Sequence, residues 1–469
     1  MFNINRQGVF CILHLNSVKI IKKKYLEECM RKFISLAFIL LLIATCLTGC
    51  NKNKDEVYYL NFKPEVAEVY QRIVADYKRE TGKSIRVVTA ASGTYEQTLK
   101  SEISKKNAPT IFQFNGPIGY QAWKNYCADL QYTDIYKMLN DKDLAIKDES
   151  GVWGIPYVVE GYGIIYNKEI TDKYFALSDR ATSISSMEDI RSYDMLKMVV
   201  EDMTSRKSEL GIDGVFASTS LQTGENWRWT THLANIAMHQ EFDDNGTNLT
   251  QLENVKEVVF KYENEFKNIF DLYLNNSTTD RKLLGSKQVA DSMAEFALGK
   301  CAMVQNGNWA WGQINQIAGN RVKKENIRMI PIFTGLANEE KQGICIGTEN
   351  YLAINRHASE EKQKAAADFL YWLYSSDTGK KYVTQELNFI APFETFNSDN
   401  QPDDPLTQQI IEWMGKGDVK NITWDFLIFP SQNFKDIFGA ALLQYAQGTK
   451  SWDEVVQTFI LTWKSESSN

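Results

Sequence analysis

The sequence predicts an α/β protein in which helices cover a parallel sheet. The first observation is an alternation of elements, because strand-like segments at residues 57–62, 84–90 and 110–114 are separated by helical patterns. Such alternation is typical of parallel sheets that bury both faces under helices. The second observation is the composition, 43% hydrophobic and 24% charged over 469 residues. A chain of this length and composition supports two or three domains with sizeable cores.

The first two helices follow from local signals. Pro64 occupies a position where a first helical residue is expected, and apolar side chains then recur on one helical face until Gly82, where we expect the helix to stop. A second helical pattern covers residues 94–106. Ligands of such sheets bind beyond the carboxyl ends of the strands. We therefore expect binding residues in the loops at 61–63, 91–95 and 115–118.

The pattern after Trp153 is mainly helical, with short strands between the helices. Helices are predicted at residues 187–205, 229–239, 252–273, 289–298, 359–374, 377–385, 406–415 and 431–445. Strands are predicted at residues 163–166, 301–305, 328–332 and 351–354. No low-complexity linker separates these elements, so we expect the domains to exchange chain segments. Residues 464–469 are expected to fray.

Residues 30–49 have the pattern of a lipoprotein signal peptide. A basic start at Met30 precedes an apolar run at residues 33–47, which is short for a spanning helix of about 20 residues. The run ends in LTGC at 47–50, which resembles the bacterial lipobox, where a signal peptidase cuts before a lipid-bearing cysteine. We therefore expect a lipidated Cys50 and a polar tether at residues 50–56; an uncleaved membrane anchor is the alternative.

Residues 1–29 are expected to lie upstream of the true start, because an arm ahead of the basic segment would obstruct a signal peptide. The full chain has 52 basic and 59 acidic residues and a net charge of −7. Residues 1–49 contribute seven Lys or Arg and two Glu, so the exported chain is predicted to be more acidic than the whole. This balance argues against a nucleic-acid surface, which needs clustered Lys and Arg.

Cysteine and histidine are sparse. After cleavage Cys127, Cys301 and Cys345 would accompany Cys50, and the two later residues lie in apolar strand-like segments. We interpret these thiols as small buried side chains, with a disulfide between Cys301 and Cys345 as the alternative. Four His leave little for a metal site, and we expect no cofactor.

Three motifs stand in order along the exported chain. The first is GVWGIPY at 151–157, followed by Glu160 and GIIYNK at 163–168. The second is FALGKCAM at 296–303, followed by NGNWAW at 306–311. The third is AAADFL at 365–370. In this order and spacing, the chain resembles the extracellular solute-binding proteins of ABC importers, in the family that includes maltose-binding protein.

The resemblance implies a two-lobed fold of the periplasmic-binding-protein type, with strands that cross a hinge and a ligand cleft between the lobes. Lobe one would combine residues 57–159 with 351–395, and lobe two would combine 160–350 with 396–469. Closure of such lobes is hinge bending at a few residues.

The resemblance also implies a set of ligand-binding residues. Trp309 matches a stacking tryptophan of the family, and Glu160 matches an acidic residue that binds a hydroxyl group. Glu225 and Trp227 match an acidic-aromatic element less securely. Where the family has a charged pair after the third strand, this chain has Gly116, which puts maltose specificity in doubt. The remaining expected contacts are Asn115, Gln113, Tyr95, Asn308 and Phe434.

Two residues have alternative interpretations. Trp309 could be an ordinary core residue, although its place after a buried strand and beside Gly307 favours the site. Glu160 could instead be a hinge residue held in a salt bridge. The segment GICIG at 343–347 mimics a nucleophile elbow, but its isoleucines and the absence of a following helix indicate a structural strand.

The predicted function is therefore capture of a carbohydrate at the outer face of the membrane and its delivery to an ABC permease, without catalytic residues. A sugar has an apolar C–H face and a rim of hydroxyl groups, which aromatic and planar polar side chains match. We expect a monomer that is tied to the membrane by its lipid. The rival hypothesis is a lipid-anchored glycoside hydrolase or another carbohydrate-active surface protein, which would require two carboxylates facing one bond.

Overall fold

The computed structural model describes residues 56–91, 93–249 and 255–467. The expected start at Met30, the signal peptide, Cys50 and most of the tether lie outside the described residues. Within them, no helix combines the length and the apolar character that crossing a membrane requires.

The strands are β1 (Val57–Asn61), β2 (Ile85–Thr89), β3 (Ile111–Asn115), β4 (Ile146–Asp148), β5 (Gly151–Pro156), β6 (Glu160–Asn167), β7 (Gly214–Phe216), β8 (Cys301–Gly307), β9 (Ile327–Ile330), β10 (Gln342–Gly347), β11 (Asn350–Ile354) and β12 (Lys420–Thr423). The helices of the first half are α1 (Ala67–Thr81), α2 (Tyr95–Glu102), α3 (Gly116–Trp123), α4 (Asp134–Lys137), α5 (Lys168–Phe175), α6 (Tyr193–Ser205), α7 (Lys207–Leu210) and α8 (Ala234–Asp244). The later helices are α9 (Glu263–Asn275), α10 (Val289–Ala297), α11 (Ala310–Asn315), α12 (Glu360–Ser375), α13 (Asp377–Gln385), α14 (Pro405–Gly415), α15 (Gln432–Ala446) and α16 (Trp452–Ser467).

The first sheet has the strand order β2-β1-β3-β11-β5-β4. Strand β1 is parallel to both β2 and β3, as the alternation of strands and helices predicts. Strand β11 returns from far along the chain and pairs antiparallel with β3 and β5, so the whole sheet is mixed. This sheet and the helices packed on it form lobe one.

The second sheet has the strand order β12-β10-β6-β8-β7, and β9 also pairs with β6. It forms the centre of lobe two. The chain passes from the first sheet to the second between Pro156 and Glu160, and it returns between Gly347 and Asn350. A third crossing, between α13 and α14, brings the chain back to lobe two. The first two crossings are short, which is the arrangement that hinge bending requires. The α/β, two-lobed fold class is confirmed, and the residue-level lobe boundaries stay a prediction.

Each sheet has its own apolar core. Ile111 and Phe369 are fully buried in lobe one, and Trp229 and Trp463 are 1% and 0% exposed in lobe two. The cysteines of the described chain, Cys127, Cys301 and Cys345, are buried and free. Burial raises the pKa of the Cys345 thiol to about 12. The interpretation of these thiols as small buried side chains is therefore confirmed.

Several predicted helix ends are wrong, although most helices are present. The helix predicted at 187–205 begins only at Tyr193, because the Ser192 hydroxyl accepts a hydrogen bond from the amide of Met195 and caps it there. The helix predicted at 252–273 begins at Glu263. The tail does not fray up to Ser467, because Trp463 is buried and its indole donates to the Val255 carbonyl.

Candidate functional site

The candidate site lies where three chain segments meet between the lobes. Lys63 follows β1 in lobe one, Glu160 begins β6 at a hinge crossing, and Trp309 follows β8 in lobe two. The Lys63 Nζ atom donates to Glu160 Oε1 at 2.7 Å. The same Nζ atom lies 5.7 Å from the centroid of the Trp309 ring. The loop after β1 is thus part of the site, as the positions of the strand ends predict.

The Lys63–Glu160 ion pair is almost completely buried, since the two residues are 5% and 2% exposed. Although burial lowers the pKa of Lys63, the carboxylates of Glu160 and Glu65 raise it, and the net shift is upward. Glu65 lies 4.0 Å from the same Nζ atom. The Oε1 atom of Glu160 therefore belongs to the hinge ion pair, whereas its Oε2 atom is buried and has no hydrogen-bond partner in the described part of the chain.

An aromatic cluster forms the lobe-two wall of the site. The half-buried ring of Trp309 lies 5.8 Å from that of Trp227 and 6.4 Å from that of Trp424, between centroids. Gly307 lets this ring lie against the end of β8, because a Cβ atom there would be 2.1 Å from the indole. The sequence Asn-Gly-Asn-Trp thus allows the Trp309 ring to lie close against the last residue of its own strand.

A cavity of about 320 Å³ opens beside this ring. Both lobes line it, through Glu65 and Phe389 on one side and Glu160, Asn308, Trp309 and Trp311 on the other. Small-molecule sites have volumes of about 300 to 1,000 Å³ and combine apolar surface with a few polar groups. The cavity has this size and character, and it contains three of the residues predicted from the sequence.

Asn308 and Glu225, which were also predicted from the sequence, form hydrogen bonds to other segments of lobe two. The Asn308 side chain accepts from the Gly161 amide at 3.0 Å and donates to Thr407 at 3.2 Å, which ties the Trp309 turn to the hinge. Glu225 accepts from the Val289 amide at 2.6 Å and caps α10. The hydrogen bonds of Asn308 and Glu225 therefore connect segments of lobe two to one another.

In lobe one, Gln113 and Tyr95 are buried under the loop that carries Lys63. The Gln113 side chain accepts from the Phe62 backbone amide at 2.6 Å, and the Gln113 backbone amide donates to the Tyr95 hydroxyl at 2.7 Å. These bonds position the loop. Asn115 lies at the end of β3 and donates to Glu349 at 3.1 Å.

Phe434 does not reach the cleft, contrary to its place among the predicted contacts. It is 0% exposed, and its ring packs against Phe429, Phe438 and Trp463. Helix α15 turns this position toward the core of lobe two. Its neighbour Lys435 lies close enough to Glu96 of lobe one and to Glu349 at the second crossing to interact with both carboxylates.

The lobes touch at the rim of the cleft. A Cβ atom on Gly93 would be 2.7 Å from the Gly224 carbonyl oxygen, and one on Gly116 would be 2.7 Å from Leu427 Cβ. The backbone of Gly116 also has a φ of +55°, which favours glycine. The glycine that replaces the family's charged pair is thus a place of close approach between the lobes.

The sequence did not single out Lys63, Arg228, Trp424 or Glu349 as site residues. Burial is the cause for Arg228, since a charged side chain is usually exposed and this one is 2% exposed. A signal for Lys63 was present, because it lies in one of the three loops expected to hold ligand.

Stability should fall as the pH rises from about 4.5 through about 7, because burial, opposed by Lys63 and reinforced by Glu160, raises the pKa of Glu349 to about 7. The folded chain then holds a proton that the unfolded chain releases. We expect Glu349→Gln to flatten this decline in urea unfolding at pH 5 to 8. The exposed Glu394→Gln is the control and should leave the slope unchanged; an unchanged slope in the Glu349 variant would contradict the prediction.

The fold and the site together define a two-lobed binding protein with its ligand cleft at the hinge. The chain belongs to the family of bacterial extracellular solute-binding proteins, whose profile matches residues 72–409. The resemblance stated from the sequence is therefore confirmed. This family consists of binding proteins, so the hypothesis of a glycoside hydrolase is not supported. No curated protein sequence matches the chain significantly.

Solved structures share the fold. A chitin oligosaccharide binding protein superposes with a TM-score of 0.66 at 16% identity, over 88% of this chain and 98% of that one. RafE in complex with raffinose gives a TM-score of 0.63 at 17% identity, over 88% and 99%. A sugar transporter from Bacillus licheniformis in complex with stachyose gives 0.61 at 15% identity, over 88% and 99%. The similarity extends over nearly the whole described part of the chain.

Proposed function

We propose that this protein captures a carbohydrate between its lobes and delivers it to an ABC permease. The observation that carries the proposal is the pairing of the Trp309 ring with the unpaired Oε2 atom of Glu160 at one cavity. A sugar offers an apolar C–H face to an aromatic ring and hydroxyl donors to a carboxylate oxygen. Trp309 supplies the aromatic ring and Glu160 the carboxylate oxygen at the same cavity. The ion pair with Lys63 holds the carboxylate in place.

The solved structures support an oligosaccharide rather than a single sugar. Those named above bind raffinose or stachyose, or are named for chitin oligosaccharides. In this chain, polar and charged groups continue beyond the Trp309 cavity along the line between the lobes, where Asn115, Glu349 and Lys435 lie near one another. We propose that further sugar units lie along this line and that Trp227 contributes to their binding.

Ligand would act by stabilising the closed arrangement of the lobes. A ligand shifts such an equilibrium only by its preference for one state, and a solute held between Glu65 of lobe one and Trp309 of lobe two has that preference. The permease would bind the closed form. The lipobox-like LTGC at 47–50 supports anchoring at the outer membrane face through a lipid on Cys50, and we propose that the protein works there as a monomer.

Thermal unfolding across a panel of neutral and acidic oligosaccharides tests the proposal. We expect at least one carbohydrate class to raise the melting temperature with increasing concentration, since a ligand that binds only the folded state stabilises it. The sugar should be recovered intact after prolonged incubation. Failure of every carbohydrate to bind, or release of hydrolysis products, would overturn the proposal.

A further inference from the structure

Arg228 is a buried cation without an anionic partner. It lies in the helical turn Arg228–Leu233 and is 2% exposed. Its Nε atom donates to Asn306 Oδ1 at 3.3 Å, and its Cζ atom lies 4.0 Å from the centroid of the Trp227 ring. The Nη1 atom is buried and has no hydrogen-bond partner among the residues that the structure describes. No carboxylate of the described chain forms an ion pair with Arg228 within 4.0 Å.

The neighbouring carboxylates are engaged elsewhere. Glu160 is bound to Lys63 at 2.7 Å, and Glu65 lies 4.0 Å from the same lysine. Glu225 accepts from the amide of Val289. Glu65 and Glu225 act on Arg228 only through longer-range attraction, and burial lowers the pKa of the guanidinium to about 10. A charge in such a place destabilises the protein unless a partner of opposite charge reaches it.

The guanidinium belongs to the same wall of the cleft as Trp309. It stacks on Trp227, whose ring lies 5.8 Å from that of Trp309, and its partner Asn306 is part of the strand that ends at Gly307. A further buried donor in this wall, Trp424 Nε1, also lacks an acceptor among the described residues. The guanidinium and the indole N–H donate hydrogen bonds and accept none.

We infer that the bound carbohydrate carries a carboxylate, as a uronic acid does, and that Arg228 is the residue that binds it. This inference rests on the proposed function and specifies its solute. A carboxylate has two acceptor oxygens and no donor, and the planar guanidinium matches it with paired hydrogen bonds. Lys63 does not fill this role, because Glu160 already neutralises it. The stacking of Arg228 on Trp227 fixes the plane in which the carboxylate is bound.

Calorimetry with matched ligands tests the inference. Oligogalacturonides are compared with galacto-oligosaccharides, and glucuronic-acid-substituted xylo-oligosaccharides with the unsubstituted chains. We expect the wild-type protein to bind the acidic member of at least one pair at least 30-fold more tightly. Arg228→Met should remove this preference, by weakening the binding of the acidic member far more than the binding of the neutral one. The exposed Arg321→Met is the matched control in lobe two and should keep the preference.

The outcomes separate this inference from the proposed function. Equal binding of acidic and neutral members by the wild-type protein would overturn the inference and leave carbohydrate capture intact. Binding of neither class would contradict the proposed function itself. Preference for a phosphorylated sugar over the uronates would overturn the assignment of a carboxylate.

A second measurement does not depend on the folding of the variant. Converting the ligand's carboxylate to its amide removes the charge with little change in shape, and the wild-type protein should bind this amide at least 30-fold more weakly than the acid. Undiminished binding of the amide would overturn the inference. Without ligand, Arg228→Met should unfold at no lower temperature than the wild type, because it removes an unpaired buried charge.

Discussion

Replacement of Lys63 by Met should lower the free energy of unfolding by about 3 kcal/mol, the size expected when one partner of a buried ion pair is removed. Lys63 is the cation that contacts Glu160, at 2.7 Å, and Met fills a similar volume without charge. The variant leaves the Glu160 carboxylate buried and unpaired at a hinge crossing. Urea unfolding in the absence of sugar measures the loss.

The reciprocal change is expected to cost less. In Glu160→Gln, Lys63 keeps a carboxylate neighbour, because Glu65 lies 4.0 Å from its Nζ atom. The double variant should be more stable than Lys63→Met alone, since it no longer buries an unpaired carboxylate. Lys137→Met breaks an exposed pair with Asp134 and should change stability by at most about 0.5 kcal/mol. Equal losses of stability in Lys63→Met and Glu160→Gln would show that Glu65 does not compensate Lys63 when Glu160 is replaced.

Local sequence signals predicted the part of the fold that local contacts determine. Strands β1, β2 and β3 and the helices between them follow from apolar periodicity, and Gly82 ends α1 with a φ of +73° as expected. The insertion of β11 beside β3 joins residues more than 200 positions apart, at Asn115 and Asn350. No local pattern encodes such pairing, so the mixed sheet could be predicted only through the family resemblance.

The candidate site likewise has residues that local motifs predict and residues that only the folded chain brings together. Trp309 and Glu160, which both line the cavity, were predicted because they belong to motifs whose spacing the sequence shows. The partner of Glu160 is 97 positions away at Lys63, and only the folded chain brings them together. Phe434 was proposed from the family resemblance alone, and the structure buries it completely in the core of lobe two. Arg228 was not predicted as a site residue, because its burial results from packing around Trp227 that the sequence does not show.

Substitution of Trp309 by Ala should weaken carbohydrate binding by about 2 kcal/mol or more, which is a roughly 30-fold rise in Kd. The ring forms one wall of the cavity, and its removal exposes the C–H face of the bound sugar to water. Trp309→Phe keeps an aromatic face and should lose less. Calorimetric titration with the best ligand of the panel measures both variants.

The control must separate loss of a ligand contact from loss of packing, because Trp309 also contacts Trp227 and Trp424. Trp372 of lobe one is also half-buried, stacks on Phe369 and bonds to Glu80, and it lies away from the cavity. Trp372→Ala should therefore lower the melting temperature and leave Kd unchanged. If Trp309 were an ordinary core residue, its Ala variant would behave as the Trp372 variant does. Undiminished affinity in Trp309→Ala would place the solute elsewhere along the cleft.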